Sequence, residues 1–372
     1  MNKPIRVLQV FGVMNYGGAE NFIMNVFRNV DRSKILFDFV VHSNEEGKFD
    51  QEIKELGGTI YKCPRFKGTN YLKYKKWWHL FFKEHPEYSI IHTHIRSTAS
   101  IFLKIAKKYN LKTISHSHST SNGKGISSFV KRMLQKNICK YSDLCLACSI
   151  EAGKWLFGNK IINSEKFKII KNGIDLEKYG LNTAVRARIR KEMRVLDEEI
   201  LLVHVGRFHE SKNHDFLLKV FYEISNYSQK YKLLLVGDGE LRKHIENQIA
   251  TYNIQKRVIL VGNVSNVNDY LQASDCFVFP SKWEGLPMTV IEAQASGLPC
   301  LVSNRITNEV AVTSLVEMLS IDDVSIWTKR IIFNGFEKKD SKSEIIEAGY
   351  SINDVCEKLI DAYFSLTKGF LV

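Results

Sequence analysis

The residues best suited to chemistry are two carboxylates in the segment 279–299, where a strand-like apolar run, a loop and a helix follow one another. Pro287 suits the start of that helix, because a helix start does not need the N–H that proline lacks. Glu284 lies in the loop before the helix, and Glu292 lies inside it, eight residues later. Carboxylates accept hydrogen bonds from hydroxyl groups, so this pair could hold two hydroxylated rings.

The predicted start of the same helix favours an anion. Its first backbone N–H groups have no helical partners and carry the positive end of the helix dipole. They open beside Gly285 and Leu286, which predicts contact between this backbone and a phosphate oxygen. For this segment taken alone, the alternative is an ordinary capped helix with two solvent-facing acids.

A second group of candidate phosphate ligands follows the strand-like run 200–208. Gly206 permits close approach of a ligand to the backbone. Arg207 offers a fixed fork of N–H donors and Lys212 a point charge to phosphate oxygens. For either basic residue alone, a solvated surface position is the alternative.

The first strand-to-helix junction has adjacent glycines at Gly17 and Gly18, after the strand-like run 6–11. Strand, glycine loop and helix in this order are typical of the opening of a nucleotide-binding α/β domain. The spacing is not that of the dinucleotide fingerprint, so a dinucleotide fold in the strict sense is disfavoured. A tight turn is the alternative for the two glycines.

Four histidines, His92, His94, His116 and His118, lie at the carboxyl ends of two predicted strands. In open parallel sheets that edge faces the ligand crevice. A metal site is the less favoured interpretation, because no carboxylate lies near either pair in the sequence. The flexible polar segment 121–125 follows the second pair.

The motif Glu-Gly-Leu-Pro at 284–287, its second glutamate at position 292 and Ser-Gly-Leu-Pro at 296–299 resemble the donor-site signature of retaining GT-B glycosyltransferases of family four. The resemblance covers almost the whole chain and is greatest to bacterial exopolysaccharide and capsule enzymes. It implies a GT-B fold, in which two Rossmann-like domains with parallel sheets face a central cleft. In that family the second glutamate holds the ribose of a nucleotide sugar, and the first contacts the transferred sugar.

The resemblance also implies roles for the other candidates. Arg207 and Lys212 become paired ligands of the diphosphate, and His116 reaches the donor sugar. His94 and His118 are acceptor-side candidates, with His118 the less suited alternative to His116 for the sugar. The implied catalytic set is His116, Arg207, Lys212 and Glu284.

The remaining implied donor contacts are made largely by backbone groups. The loop at Gly17 and Gly18 contacts the diphosphate or the acceptor, and the loop ends at Gly237, Asp238 and Val264 frame the base, most commonly uracil in relatives. The implied donor-binding residues are Gly17, Gly18, Gly206, Gly237, Asp238, Val264, Gly285, Leu286 and Glu292.

The implied reaction is transfer from a nucleotide sugar with retention of configuration, in which protein groups replace a divalent metal and no cofactor is needed. The implied acceptor is a glycan or a polyprenyl-diphosphate-linked sugar. A nucleotide-sugar epimerase or a phosphorylase on the same fold, and a non-catalytic partner subunit, are the alternatives.

Alternating strand-like and helix-like segments predict parallel sheets covered on both faces. The resemblance divides the chain into an acceptor-binding domain at 1–171, a nucleotide-sugar-binding domain at 172–350, and a last helix at 351–372 that crosses back to the first domain. Helices are predicted at 71–84 and 126–140, among others.

The charge of the chain is uneven. Its net charge is +13, and residues 1–175 contain 29 Lys and Arg against 14 Asp and Glu, whereas the remainder has a small acidic excess. Lysines mixed with aromatics at 70–84 and an amphipathic basic segment at 127–140, with Lys131, Arg132, Lys136 and Lys140, suit an anionic membrane surface. Core aromatics with solvated lysines are the alternative, and nucleic acid is disfavoured because no recognised motif accompanies the charge.

Composition favours a soluble globular protein with 44% hydrophobic and 25% charged residues. Seven scattered cysteines favour reduced thiols, and the start of the sequence lacks the apolar core of a signal peptide. We therefore expect a cytoplasmic protein, peripheral at the inner face of the cell membrane.

Overall fold

A computed structural model describes residues 4–118, 134–135 and 137–367. The chain divides into two compact units, one formed by Met1–Gly173 with Gly349–Val372 and the other by Ile174–Ala348. The predicted helix at 126–140 falls largely outside the described residues, as do the loop at 121–125 and Lys131, Arg132 and Lys136.

The described part of the first unit contains a seven-stranded parallel sheet in the order β3-β2-β1-β4-β5-β6-β7. Its strands are β1 (Ile5–Phe11), β2 (Ile35–Val41), β3 (Ile60–Lys62), β4 (Ile90–Thr93), β5 (Lys112–Ser117), β6 (Leu144–Ala147) and β7 (Phe167–Ile169). Its helices up to residue 173 are α1 (Gly18–Asn29), α2 (Asp50–Glu55), α3 (Tyr71–Glu84), α4 (Ala99–Lys108), α5 (Ile150–Phe157) and α6 (Asn159–Ile162).

The second unit contains a six-stranded parallel sheet in the order β10-β9-β8-β11-β12-β13. Its strands are β8 (Ile200–Val205), β9 (Tyr231–Val236), β10 (Val258–Gly262), β11 (Cys276–Phe279), β12 (Cys300–Ser303) and β13 (Val316–Leu319). Its helices are α7 (Leu176–Tyr179), α8 (Thr183–Glu192), α9 (His214–Tyr227), α10 (Arg242–Thr251), α11 (Val267–Ala273), α12 (Met288–Ala295), α13 (Val324–Phe333) and α14 (Lys342–Glu347), with 3₁₀ turns at Glu210–Lys212 and Asn308–Val310.

Both sheets are buried on their two faces, which explains why their central strands are apolar runs rather than alternating patterns. In β1, Val7 belongs to one core cluster and Leu8 to the cluster on the opposite face. In β8, Leu201 and Leu202 divide in the same way. Because the strands are parallel, their carboxyl ends share one edge of each sheet, and the loops that leave this edge position the candidate site.

The last helix, α15 (Ile352–Thr367), completes the first unit. Its apolar side buries Val355, Leu359 and Tyr363 in the core cluster that includes α1. Cys356 packs there too, with Sγ 3.9 Å from the carbonyl oxygen of Val26 in α1. Residues far apart in sequence therefore share a single hydrophobic core.

Helix α3 begins and ends where its sequence predicts, but most of its aromatics do not face solvent. Tyr74, Trp78, Phe81 and Phe82 are buried between α3 and the sheet. They are therefore core residues and not contacts at the level of lipid headgroups. Leu72 is the most exposed large apolar residue of the helix, at 78%. Among the described helices, none combines the length and hydrophobicity required for a membrane span.

Candidate functional site

The carboxyl edge of the second sheet brings the two predicted donor-binding loops together. Strands β8 and β11 are neighbours, so the loop after β8 lies beside the loop after β11. The amide of Lys282 donates to the carbonyl of Ser211 at 2.8 Å. Asn213, which adopts the left-handed conformation at φ 58°, donates from Nδ2 to the carbonyl of Pro280 at 3.1 Å. These bonds fix the second loop against the 3₁₀ turn that carries Lys212.

Lys212 and Glu284 form an ion pair across these two loops. Lys212 Nζ lies 2.8 Å from Glu284 Oε1, and both side chains are largely buried, with exposed fractions of 14% and 16%. The ammonium also lies 4.6 Å from the ring centroid of Phe279, where a cation–π interaction favours it. A cation suited to phosphate and a carboxylate suited to hydroxyl groups thus meet in one place.

Arg207 leaves the same strand end but has a different partner. Its Nη2 lies 3.0 Å from Glu240 Oε2, and its side chain is 72% exposed. Within the described residues its ion pair is with Glu240 and not with Glu284. The structure therefore places Arg207 on the surface of the loop, outside the contact between Lys212 and Glu284.

Gly206 and Gly237 are required by the packing of the loops on each other. Gly237 has φ +140°, and a Cβ there would lie 2.1 Å from the carbonyl oxygen of Gly206. A Cβ on Gly206 would lie 3.0 Å from Cε of Lys212. Glycine at 206 thus leaves room for the lysine, while Asp238 caps the next turn by accepting from the amide of Gly239 at 2.8 Å.

Helix α12 starts where its sequence predicts, with Pro287 as the residue before its first turn. A Cβ on Gly285 would meet nothing within 4 Å, so the loop is open at this point. Leu286 and Val264 both pack on the apolar cluster of the second unit that includes Val290 of α12. Thr289 Oγ1 is buried and has no hydrogen-bond partner within the described residues. This hydroxyl is a candidate ligand that sequence reasoning missed, because a threonine in a helix has no distinctive pattern.

Glu292 projects from α12 towards Tyr179 at the end of α7, and the two side chains are hydrogen-bonded. Burial raises the pKa of the Glu292 carboxyl to about 7, although the hydrogen bond from Tyr179 acts in the opposite direction. The carboxyl group therefore changes its charge near neutral pH. Tyr179 is a second residue that the sequence did not identify, since it lies in a helix of only four residues.

In the first unit, the glycine loop after β1 leads into α1. Gly17 is the residue before the helix. The carboxylate of Glu20 folds back over it, so a Cβ on Gly17 would lie 2.2 Å from Glu20 Oε2. Gly18 is exposed, and a Cβ there would meet nothing within 4 Å. The loop thus has one packed glycine and one open glycine.

All four predicted histidines meet at the carboxyl edge of the first sheet. His94 Nδ1 lies 2.8 Å from His118 Nε2, and the ring centroids of His116 and His118 are 4.0 Å apart. His92 Nδ1 lies 2.8 Å from the hydroxyl of Tyr363 in α15. Burial lowers the pKa of His118 to about 3 and lowers the pKa values of the other three well below the ordinary value, so the rings are neutral at pH 7.

The cluster lies next to the helix that follows the glycine loop. Phe22 of α1 contacts His116 edge-on, with ring centroids 5.1 Å apart. His116 is almost fully buried, whereas His94 and His118 are partly exposed. Ring nitrogens of His92, His94 and His116 lie within 4.8 Å of one another, and they are the described residues best placed to hold a metal ion.

Comparison with known proteins supports a family assignment for both units. The family "Glycosyltransferase Family 4" matches residues 16–178, and "Glycosyl transferases group 1" matches residues 185–325. EpsF of Bacillus subtilis, assigned as a glycosyltransferase, is 32% identical over 368 residues, 96% of each chain. The UDP-Gal:α-D-GlcNAc-diphosphoundecaprenol α-1,3-galactosyltransferase of Escherichia coli is 28% identical and covers 75% of this chain and 76% of its own.

Comparison with solved structures identifies the fold. The structure of Alr3699/HepE from Anabaena in complex with UDP matches with a TM-score of 0.77 and 15% identity over 97% of this chain and 100% of that one. At this identity the match shows the fold alone, and that fold is the GT-B fold of two parallel α/β domains. With a relative above 30% identity over nearly its full length, the chain belongs to the family-four glycosyltransferases of the GT-B fold.

Proposed function

We propose that the protein transfers a hexosyl group from a nucleoside-diphosphate sugar, with retention of configuration and without a divalent metal. The observation that carries the proposal is the 2.8 Å contact between Lys212 Nζ and Glu284 Oε1. It joins a phosphate-binding cation to a hydroxyl-binding carboxylate on one sheet edge. Retention and the hexosyl class rest on the family resemblance.

The ion pair explains how the charges of Lys212 and Glu284 are compensated when no donor is bound, and how both groups become available when a donor binds. Without donor, Glu284 compensates the charge of Lys212, because an unpaired buried charge is costly. A bound diphosphate replaces Glu284 as the partner of Lys212. The released Glu284 then accepts hydrogen bonds from hydroxyls of the transferred sugar. As the sugar–phosphate bond breaks, Lys212 and the first N–H groups of α12 stabilise the charge that develops on the leaving diphosphate. Protein groups thus do the work of a divalent metal.

Arg207 is a second diphosphate ligand in this proposal. Its pair with Glu240 is exposed, and exposed ion pairs contribute little to stability. Exchange of Glu240 for a diphosphate is therefore inexpensive, and the planar guanidinium can contact two phosphate oxygens at once.

The nucleoside part of the donor contacts α12 and the neighbouring loops. Glu292 accepts from ribose hydroxyls, while backbone groups at Gly237, Asp238 and Val264 contact the base. We favour uridine, because the Escherichia coli relative uses UDP-Gal and the Anabaena structure contains UDP.

The acceptor proton passes to an oxygen of the leaving diphosphate, so no dedicated protein base is required. The family resemblance assigns His116 to the transferred sugar, and His94 and His118 to the acceptor side. These assignments stay predictions. The greater exposure of His118 makes it the more accessible of the two candidates for the sugar.

We propose a polyprenyl-diphosphate-linked acceptor in the synthesis of a bacterial surface polysaccharide, since the Escherichia coli relative acts on a diphosphoundecaprenol sugar. The basic first unit would approach the anionic membrane that holds such an acceptor. Helix α3 supplies suitable groups, because Lys73, Lys76 and Lys83 are exposed next to the exposed Leu72 and Leu80.

The proposal is tested by replacing Lys212 and measuring UDP release from UDP-sugars in the presence of membrane extract as the acceptor source. Lys212→Ala should reduce turnover at least about 100-fold, the usual cost of losing one group that stabilises transition-state charge. Lys219→Ala, an exposed lysine on α9, is the matched control and should retain full activity.

Three results would contradict the proposal. The first is full activity of Lys212→Ala. The second is conversion of the nucleotide sugar without an acceptor, which identifies an epimerase, or only with inorganic phosphate, which identifies a phosphorylase. The third is activity that disappears with a chelator and returns only with Mg²⁺ or Mn²⁺.

A further inference from the structure

The four histidines lie on one face of the first sheet for a geometric reason. Strands β4 and β5 are parallel neighbours with His92 opposite Ile114, and residues two apart in a strand point to the same face. His92 and His116 therefore point to one face. His94 and His118, which continue this alternation at the carboxyl ends, gather beside them.

We propose that His92, His94 and His116 bind a divalent transition-metal ion of the zinc class. One ring nitrogen of each lies within 4.8 Å of those of the other two. Within the described residues, Nε2 of His92 and both ring nitrogens of His116 are buried without a hydrogen-bond partner. Several unpaired buried ring nitrogens in one place are costly, and a shared ion would satisfy them together.

The hydrogen bonds behind the rings orient them as metal ligands. Gln9 Oε1 can only accept, so His94 carries its proton on Nε2, 3.0 Å away, and its Nδ1 lone pair is directed into the cluster. His92 can donate its Nδ1–H to the hydroxyl oxygen of Tyr363, 2.8 Å away, and in that tautomer its Nε2 lone pair is left for the ion. Gln9 Nε2 in turn donates to that hydroxyl at 3.1 Å. Histidine ligands are commonly fixed through their second nitrogen in this way.

Binding requires a small rearrangement. Zinc–nitrogen bonds of about 2.1 Å in tetrahedral geometry place ligand nitrogens roughly 3.4 Å apart, so the rings must approach one another by about 1 Å. The Nδ1 lone pair of His94 must also exchange His118 Nε2 for the ion. The released His118 ring lies beside His116, with ring centroids 4.0 Å apart.

The ligand set selects the kind of ion. Imidazole nitrogens suit Zn²⁺, Ni²⁺ and Co²⁺, whereas Mg²⁺ and Ca²⁺ require oxygen ligands, and the ligand cluster contains only histidines. The ion would join β4 to β5 and, through Tyr363, to α15. An ion held by His94 and His116 would occupy the two rings that the family resemblance assigns to the acceptor and to the sugar, so that His118 would then be the histidine left for the sugar. The test measures metal binding and not transfer, so failure of this inference and failure of the proposed function, which uses Lys212 in place of a metal, can be told apart.

The experiment measures Zn²⁺ bound to protein without an affinity tag, after treatment with a chelator and its removal. We expect one ion per chain, retained through dialysis, a rise of several degrees in the melting temperature with excess Zn²⁺, and ligand-field absorption in the visible range when Co²⁺ replaces it. Mg²⁺ should produce none of these effects. Failure of wild-type protein to retain Zn²⁺ at micromolar concentration would overturn the inference.

Variants locate the ion. His94→Gln and His116→Gln should each lower Zn²⁺ affinity at least tenfold, and Tyr363→Phe should lower it about tenfold by removing only the group behind His92. The controls His209→Gln and His244→Gln change exposed histidines of the second unit and should bind as wild type.

Far-UV circular dichroism and melting without metal establish that each variant folds. Tyr363→Phe retains the ring that packs in the core and so provides a test even if a histidine variant does not fold. Unchanged affinity in folded His94→Gln, His116→Gln or Tyr363→Phe, or an equal loss in the controls, would place the ion elsewhere and overturn the assignment.

Discussion

At the scale of single residues, a substitution in the pair formed by Lys212 and Glu284 can separate the contribution of a side chain to UDP binding from its contribution to turnover. Glu284→Gln removes the charge that competes with a diphosphate for Lys212 but leaves the lysine in place. We expect UDP to bind as tightly as to wild type or up to about tenfold more tightly, because no ion pair must be broken. Turnover should fall by at least about 100-fold, since the sugar loses its carboxylate acceptor.

Calorimetric titration with UDP and a turnover assay on the same protein preparation test this expectation. Glu240→Gln, which frees Arg207 in the same way at an exposed position, is the matched comparison. It should change UDP affinity and turnover by less than about threefold each. A Glu284→Gln protein that binds UDP more than tenfold more weakly would show that the carboxylate holds the loop and not the sugar.

Glu292 gives the second unit a pH-dependent stability. Its carboxyl is harder to ionise in the folded protein, where the pKa is about 7, than in the unfolded chain, where it is about 4.5. The native state therefore holds this proton more tightly, so stability is greatest below the unfolded pKa and decreases as pH rises towards 7. Glu292→Gln removes this contribution.

Urea unfolding at pH 5.5 and pH 8.0 measures the effect of Glu292. The loss of unfolding free energy between these two pH values should be smaller in Glu292→Gln than in wild type by roughly 2 kcal/mol, given about 1.4 kcal/mol for each pKa unit. Glu309→Gln, at an exposed position, should show the wild-type difference. Identical pH dependence in Glu292→Gln would contradict the raised pKa.

At the scale of elements, the contact between the loops after β8 and β9 depends on a missing side chain. Gly237→Ala would place Cβ 2.1 Å from the carbonyl oxygen of Gly206, at a φ of +140° that alanine rarely adopts. Because the obstacle is backbone, we expect a loss of about 3 kcal/mol or more in unfolding free energy. Gly262→Ala, at φ +73° with open space around it, should cost only about 1 kcal/mol.

Denaturant unfolding of both glycine variants tests this difference. If the two substitutions cost the same, strain in the backbone and not contact between the loops determines the requirement for glycine at position 237.

Helix α3 gives a test of the membrane proposal. Lys73→Glu with Lys76→Glu should reduce binding to anionic vesicles at least tenfold, since each lysine near such a surface contributes about 1 kcal/mol. Lys219→Glu with Lys256→Glu changes the net charge equally but lies in the second unit, and should leave binding unchanged. Equal losses in both double variants in a sedimentation assay would assign the effect to total charge and not to α3.

Local patterns predicted the elements better than the contacts between them. The bounds of α3 follow from its apolar spacing, and the start of α12 follows from Pro287. Which face of α3 is buried depends on the sheet beneath it, so its aromatics could not be assigned from sequence. The contact between Tyr179 and Glu292 joins two distant positions, and a helix of four residues has no periodicity to detect.

The same limit applies to the histidines. Their position at strand ends was predictable, because each pair lies at the end of a strand-like segment, 90–94 and 112–116. Their meeting depends on β4 and β5 being neighbours and on Tyr363, which approaches from the other end of the chain. The order of strands in a sheet is a property of the whole unit and is not encoded in any one segment.

At the scale of the whole molecule, each unit should respond to mutation by itself. Leu359 of α15 is fully buried in the core of the first unit, and Leu218 of α9 is fully buried in the second. Leu359→Ala should cost about 3 kcal/mol through the cavity it leaves and speed amide hydrogen exchange in β1 and β2. Exchange in β8 and β9 should stay as in wild type, and Leu218→Ala should show the reverse pattern.

Hydrogen exchange followed by mass spectrometry separates these segments. Faster exchange in β8 and β9 after Leu359→Ala would mean that the two units unfold as one cooperative block.

The return of α15 to the first unit has a consequence for biosynthesis. A ribosome delivers residues 4–173 before residues 174–348, yet the core of the first unit lacks the apolar side of α15 until the whole second unit has been made. The second unit, whose residues 174–348 are contiguous, has all its parts earlier. The usual order, in which the amino-terminal domain matures first, is therefore reversed here, and the nascent first unit must await its closing helix with part of its apolar surface open to chaperones.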